Sequence, residues 1–259
     1  MRLNMSSRRS RLAGFSVSAY VVRGVLVDCG FPMVGSDVSQ LLGSGGLRGV
    51  VVTHHHEDHA GNVEEVARRG IPIAAHPEAL AAMREPAPIG AYRRLIWGEA
   101  PPLRSPVTPL FVDDLELVHT PGHSRDHLAV WHGETATLIA GDLFLGVKVR
   151  VAHDDEEPRV LLDSLRRVAA LSPRRLFDGH RGSIPSPGAA LAAKIAWLEE
   201  TIGRIEGMAG EGAREAEISR VVLGRRSAID VFSRGEYSRL SLVRAVLRDG
   251  RPTDQAGTR

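Results

Sequence analysis

The segment Thr53-His54-His55-His56-Glu57-Asp58-His59 places four imidazoles and two carboxylates within seven residues. Imidazole nitrogen and carboxylate oxygen are the donors that suit zinc, iron or manganese. The spacing H-x-H-x-D-H does not let every donor reach one ion. The alternate pair His54 and His56 can reach one metal, and the pair Asp58 and His59 a second. His55 points the other way if the loop is extended, toward solvent or a supporting contact. Further candidate ligands follow in Thr120-Pro121-Gly122-His123-Ser124, Ala140-Gly141-Asp142 and Asp178-Gly179-His180.

Each of these donors stands just past an apolar run that reads as a strand: Val50 to Val52, Leu115 to Val118, Thr137 to Ile139 and Arg175 to Phe177. A glycine or proline ends the run. Ligands from several strand ends can converge on one edge of a sheet. Taken singly, His54 or His180 reads as an ordinary loop histidine. The repetition of the arrangement favours a metal centre.

The motif order H-x-H-x-D-H, T-P-G-H, G-D and G-H resembles that of the metallo-β-lactamase superfamily, in particular its glyoxalase II-like hydrolases. The resemblance spans roughly Ser18 to Ile184. It implies an α/β fold, an αββα sandwich of two mixed sheets with outer helices. It also implies a binuclear site. His54, His56 and His123 resemble the ligands of a first metal, and Asp58, His59 and His180 those of a second. Asp142 resembles the carboxylate that bridges them. Val27-Asp28-Cys29-Gly30 resembles the family's early strand ending in D-x-G, with Asp28 as a supporting or turn residue.

Such a site implies a metal-dependent hydrolase with two divalent ions, Zn2+ first and Fe or Mn as alternatives. Ions about 3.5–4 Å apart can share a hydroxide that attacks without a covalent enzyme intermediate. Asp58 is the expected catalytic residue, orienting that hydroxide. The first expectation for substrate is an acyl thioester or ester. Lactone or β-lactam opening, phosphodiester or RNA cleavage, and persulfide oxidation by a single iron on His54, His123 and Asp142 are the alternatives. A nucleic-acid-binding protein with a structural metal is the non-enzymatic one. Tyr92, Trp97, Lys148 and Arg150 are candidate substrate contacts. The other histidines, His76, His119, His127, His132 and His153, read as structural or exposed.

The chain has 259 residues, 43% hydrophobic and 25% charged, which suits a folded domain with an appendage. Its formal charge is only +2, and its arginine pairs alternate with acids, so they read as solvated faces rather than a nucleic-acid surface. The lone Cys29 excludes an internal disulfide and reads as a buried thiol. No signal-like or membrane-spanning apolar run stands out, and a cytoplasmic location follows as the expectation.

The pattern predicts a catalytic domain over residues 1–187 and an all-helical appendage over 188–259. Residues 1–10 read as frayed, and Phe15 to Val27 as a hairpin about Arg23-Gly24. Pro86 to Pro109 reads as an irregular binding loop, Leu110 to Val112 as a strand, and Arg175 to Phe177 as the last strand. Helices are predicted at Asp37 to Leu42, Val63 to Arg69, Pro77 to Arg84, Asp155 to Leu171, Ala189 to Met208, Glu215 to Leu223, Ala228 to Phe232 and Leu240 to Leu247. The appendage is expected to pack near the pocket mouth, narrowing it to small acyl substrates, or to form a dimer contact. The tail from Gly250 reads as polar and irregular.

Overall fold

Short apolar strands flanked by turn residues make two sheets in the computed structural model, which describes residues 1–249. The first sheet contains β1 (Arg2–Met5), β2 (Val17–Val22), β3 (Val25–Val27), β4 (Gly49–Val51) and β5 (Ile73–Ala74), in that spatial order. The second contains β6 (Glu116–His119), β7 (Leu128–His132), β8 (Thr137–Ile139), β9 (Arg175–Asp178) and β10 (Gly182–Ile184), in the spatial order β10-β9-β8-β7-β6. Both are mixed: β3-β4-β5 and β8-β9 are parallel, and the remaining pairs antiparallel.

Strand periodicity explains the layers. Successive side chains alternate between faces. Val25, Val27, Val51, Val130 and Ile139 meet between the sheets, with Tyr20 and Leu115. Their neighbours Leu26, Val50 and Val52 face outward onto the helices Gly35–Gly43 and Val63–Arg68. Ala129 and Leu138 face the opposite outer layer, with Leu165 and Val168 of the helix Pro158–Ala170. Both faces of each sheet are therefore apolar, which gives the αββα sandwich.

The C-terminal helices are Pro187–Gly210, Glu215–Ile218, Ala228–Phe232 and Arg239–Asp249, with a π-helical turn at Ser219–Leu223. Leu191, Leu198 and Ile205 of the first, and Val243 and Val246 of the last, share one core with Leu165 and Leu176. The apolar stripe of the long helix thus packs on the second sheet's outer layer. The polar tail from Gly250 lies outside the described residues. Among the described residues, no helix is long and apolar enough to cross a membrane.

Four local expectations change. Residues 1–10 are ordered: Leu3 pairs with Ala19 and Met5 with Val17, so β1 borrows its stability from β2. The following helix Arg8–Leu12 is closed by a reciprocal Ser7–Ser10 capping box. The loop Pro86 to Pro109 contains a helix at Ala91–Ile96 whose Tyr92 and Ile96 are buried. Leu110 to Val112 forms no strand; Phe111 is exposed, and only a bridge from Ile73 to Pro109 reaches the sheet. Finally, β10 adds an unanticipated edge strand to β9.

Candidate metal centre

The donors lie just beyond the C-terminal ends of β4, β6, β8 and β9. His54, His56 and His123 bring one donor atom each within 4.8 Å of one another, and Asp58, His59, Asp142 and His180 do likewise. In the first group His56 Nδ1 is 3.0 Å from His54 Nε2 and 3.1 Å from His123 Nε2. In the second, Asp142 Oδ1 is 3.3 Å from His59 Nε2, and Asp142 Oδ2 is 3.3 Å from His180 Nε2. The same Oδ2 is 3.6 Å from His123 Nε2, which puts Asp142 between the groups. Asp58 Oδ2 is 3.4 Å from His180 Nε2. His55 turns away: its Nδ1 is 3.0 Å from Asp126 Oδ1, and its backbone N–H donates to Asp126 Oδ2 at 2.8 Å.

Residues behind the donors fix their orientation, as ligand rings require. Asp28 is the main support. Its backbone has φ of +64°, an unusual conformation that an aspartate tolerates. Asp28 Oδ1 accepts the Thr53 backbone N–H at 2.8 Å. Its Oδ2 accepts the Thr53 hydroxyl at 3.0 Å and is 2.8 Å from His59 Nδ1. Thr53 Oγ1 is in turn 3.0 Å from His54 Nδ1. The carbonyl of Ser16 is 2.7 Å from His180 Nδ1. Asp178 Oδ1 accepts the backbone N–H groups of His180, Arg181 and Gly182, shaping the turn that presents His180.

His127, which reads from sequence as structural, supports the bridge position. Its Nε2 accepts the Asp142 backbone N–H at 3.1 Å, and its Nδ1 is 2.8 Å from Thr120 Oγ1. Burial and the nearby His123 push it down to about 3, which keeps it a neutral acceptor. The dipeptide Asp126-His127, between the T-P-G-H motif and β7, was the available signal for it. Buried Ser124 makes no hydrogen bond through its hydroxyl among the described residues. Cys29 is buried, and desolvation pushes its thiol up to about 12, so it is no nucleophile.

The electrostatics divide the donors. Burial and neighbouring imidazoles hold His54 and His56 well below the ordinary histidine range, leaving lone pairs free. Burial also opposes protonation of His180, but the Asp142 and Asp58 carboxylates together outweigh it and raise His180 to about 9. Burial opposes protonation of His59 too, but Asp142, Asp58 and Asp28 together raise it well above the ordinary histidine range. Burial would raise Asp142, yet His180 and His59 keep it well below the usual carboxylate range. Among the described residues, His59 Nε2 and Asp142 Oδ1 are both buried without a hydrogen bond. Convergent imidazoles and carboxylates with unsatisfied donor atoms fit divalent transition ions.

Gly179 allows the second group to close. A Cβ there would overlap Asp142 Oδ1 and the His59 ring. Gly179→Ala is expected to weaken metal binding at the second donor group about five- to a hundredfold, because overpacking typically costs about 1–3 kcal/mol. Metal titration checks this against the melting temperature; unchanged stoichiometry and affinity would contradict it.

Five of the seven donors, His56, Asp58, His123, Asp142 and His180, line a cavity of about 530 Å³, with His54 and His59 buried behind them. Tyr92, Trp97, Lys148 and Arg150, the sequence candidates, all line it. Trp97 also packs edge-on against Phe15 and Phe31, so it is a wall fixed from behind. Sequence reasoning missed Arg181, His153 and Tyr237 in this cavity. Tyr237 comes from the C-terminal region and stacks on His153 at 4.6 Å between ring centroids. Lys194, from the helix Pro187–Gly210, is buried and donates to the carbonyls of Phe144 and, at 3.1 Å, Gly146. The appendage therefore reaches both the cavity and the loop after Asp142.

The profile of the Metallo-beta-lactamase superfamily matches residues 12–180. The chain is 27% identical over 176 residues to the Beta-lactamase-like protein 2 homolog of Caenorhabditis elegans, covering 60% of this chain and 51% of that one. It thus spans about half the length of that relative. It is 23% identical over 221 residues to the probable metallo-hydrolase YflN of Bacillus subtilis (strain 168), covering 70% and 83%. A Hydroxyacylglutathione hydrolase of Rhodobacter capsulatus is 28% identical over 217 residues, covering 80% and 76%. Among solved structures, a metallo-beta-lactamase family protein from Thermus thermophilus superposes with a TM-score of 0.70 at 21% identity, covering 96% of this chain and 93% of that one. A protein solved in a di-iron-bound form gives 0.57 at 25% identity, covering 74% and 96%.

Proposed function

This chain belongs to the metallo-β-lactamase superfamily, and we propose that it is a binuclear metallohydrolase, di-zinc by preference, that cleaves an acyl thioester or ester. The observation that carries the reading is the pair of donor groups joined at Asp142 beneath a cavity with basic walls. We assign His54, His56 and His123 to one metal, and Asp58, His59 and His180 to the other, with Asp142 between them. Bound metals in such a site lower the pKa of water and polarise the scissile carbonyl.

The chain's own residues supply position and charge. Asp58 Oδ2 faces the cavity floor beside His180 and can accept a proton of the attacking water. Lys148, Arg150 and Arg181 line the cavity and have no carboxylate partner among the described residues. They fit a leaving group that carries negative charge. Tyr92 and Trp97 form the apolar side, and Tyr92 is fixed by a 3.2 Å contact between its hydroxyl and His153 Nε2.

A side-by-side assay of the metal-reconstituted protein tests this. The substrates are a thioester, a lactone, bis(p-nitrophenyl) phosphate and a single-stranded RNA, each with and without chelator. Chelator-sensitive thioester or ester cleavage is expected to exceed the others, with close to two metals per chain. RNA cleavage above every acyl activity would replace the reading with a phosphodiesterase. A single saturating iron with oxygen consumption on a persulfide would replace it with a dioxygenase.

A further inference from the structure

We propose that a second cavity receives the acyl arm of the substrate and selects an apolar chain without a terminal negative charge. The proposal rests on the hydrolase reading above. This cavity, of about 710 Å³, lies beside the first and shares His56, Arg93 and His153 with it. His56 belongs to a donor group, so the second cavity borders the centre that the first exposes. Arg93 is held by Glu57, with Nε donating to Oε1 at 2.7 Å and Nη2 to Oε2. His153 is held between Tyr92 and Tyr237. These two fixed side chains form the partition.

The two cavities differ in chemistry. The first carries the basic side chains Lys148, Arg150 and Arg181. Val63, Met83, Pro86, Pro88, Ile89 and Pro101 give the second apolar walls, mostly from the segment expected to be an irregular loop. Its charged residues are chiefly acidic: Glu99, Asp154, Asp155 and Glu236. Its two arginines are paired, Arg93 with Glu57 and Arg94 with Glu99 at 2.7 Å. Glu236 comes from the C-terminal region and lies against Gly90, where a Cβ would overlap its carboxylate. The appendage and the Pro86 to Pro109 segment therefore close this cavity together. An alkyl chain is stabilised here, whereas a carboxylate or a polyanion meets like charge.

A substrate bound across the partition places its acyl carbon at the donor groups. Its anionic leaving group lies in the first cavity and its acyl chain in the second. Water adds its oxygen to the acyl carbon, and the C–S or C–O bond breaks with its electron pair on the leaving atom. That atom takes a proton from the water. A carboxylic acid and a thiol or alcohol result, with no change of oxidation state.

The test uses the metal-reconstituted full chain and thioesters of 3-mercaptopropionate with acetyl, butanoyl, hexanoyl and adipoyl groups. Each methylene is expected to raise kcat/KM about fourfold, by its transfer from water. Adipoyl, with its terminal carboxylate, is expected to fall at least tenfold below hexanoyl. The hexanoyl-to-acetyl ratio is expected to collapse at least tenfold in Ala82→Phe, which fills the cavity, and in Ile89→Asp, which adds a charge to it. Calorimetry with unhydrolysable S-ethyl to S-hexyl thioethers of the same acid reads the arm without turnover, and affinity is expected to follow the same order.

Hydrolysis of acetyl thioester with flat chain-length dependence and flat thioether affinity overturns the acyl arm and leaves the hydrolase reading standing. Thioether affinity that rises with length and is lost in both variants, with no thioester cleaved, supports the apolar arm and overturns the hydrolase reading. Failure of both readouts overturns both. A preference for adipoyl over hexanoyl also overturns the proposed selectivity.

Discussion

Asp58→Ala is expected to lower kcat/KM about a thousandfold, roughly 4 kcal/mol of transition-state stabilisation. His55→Ala, three residues away, is expected to stay within several-fold of the parent. Both residues lie in one histidine-rich loop, but their surroundings are opposite. Asp58 lines the first cavity, with Oδ2 3.4 Å from His180 Nε2 and 3.7 Å from His59 Nε2. Its removal takes a carboxylate from the second donor group and, in the proposed hydrolysis, the group that accepts a proton of the attacking water. His55 instead faces Asp126, and its side chain is 34% exposed. Its removal costs a supporting contact that the backbone N–H of residue 55 still makes. Both variants are expected to remain folded, with metal content reduced only in Asp58→Ala. Melting temperature, metal content and thioester turnover on the same samples check this. Equal losses of turnover in the two variants would contradict the ligand directions assigned here.

The donor set was legible because His54, His123, Asp142 and His180 each stand a few residues past a strand, with Asp58 and His59 in the short helix Glu57–Ala60 that follows the first of them. A strand end fixes direction, and the alternation His54, His55, His56 then sends alternate side chains apart. The strands themselves were legible where both faces are buried, as at Val50 to Val52. Legibility failed where the stabilising partner is remote. The sequence Arg2-Leu3-Asn4-Met5 carries little strand signal of its own, and its order comes from β2. Leu110-Phe111-Val112 has a strong apolar signal, yet Phe111 is exposed and Pro109 brings no N–H to a sheet. The helix Ala91–Ile96 is too short for a helical period to stand out between prolines. The supporting residues failed similarly. Tyr237 and Lys194 reach the site from far along the chain, and nothing in their local sequence marks them. Asp28 was visible because its D-x-G turn sits at a strand end, although only the structure shows it holding both Thr53 and His59.

Lowering the pH is expected to empty the two donor groups unequally. A metal needs the imidazole lone pair, so a histidine that prefers its proton must release it on binding, and affinity falls as pH falls. Each released proton makes the affinity change about tenfold per pH unit. In the second group His180 is raised to about 9 and His59 is raised well above its ordinary value, so both hold protons near neutrality without metal. Asp142 stays ionised and releases none. Binding there should release about two protons, and affinity should fall about a hundredfold per pH unit between roughly pH 8 and 6. In the first group, burial keeps His54 and His56 neutral, so they release none. His123, raised by Glu156 and Asp142 against its burial, adds at most one proton. That group should therefore lose no more than about tenfold per unit. Zinc titrations in buffers of differing ionisation enthalpy count the protons directly. The expected result is a one-metal protein at mildly acid pH, held by His54, His56 and His123, with thioester turnover lost along with the second ion. Equal proton counts for the two ions, or loss of the first group's metal before the second's, would contradict the division of charge at Asp142.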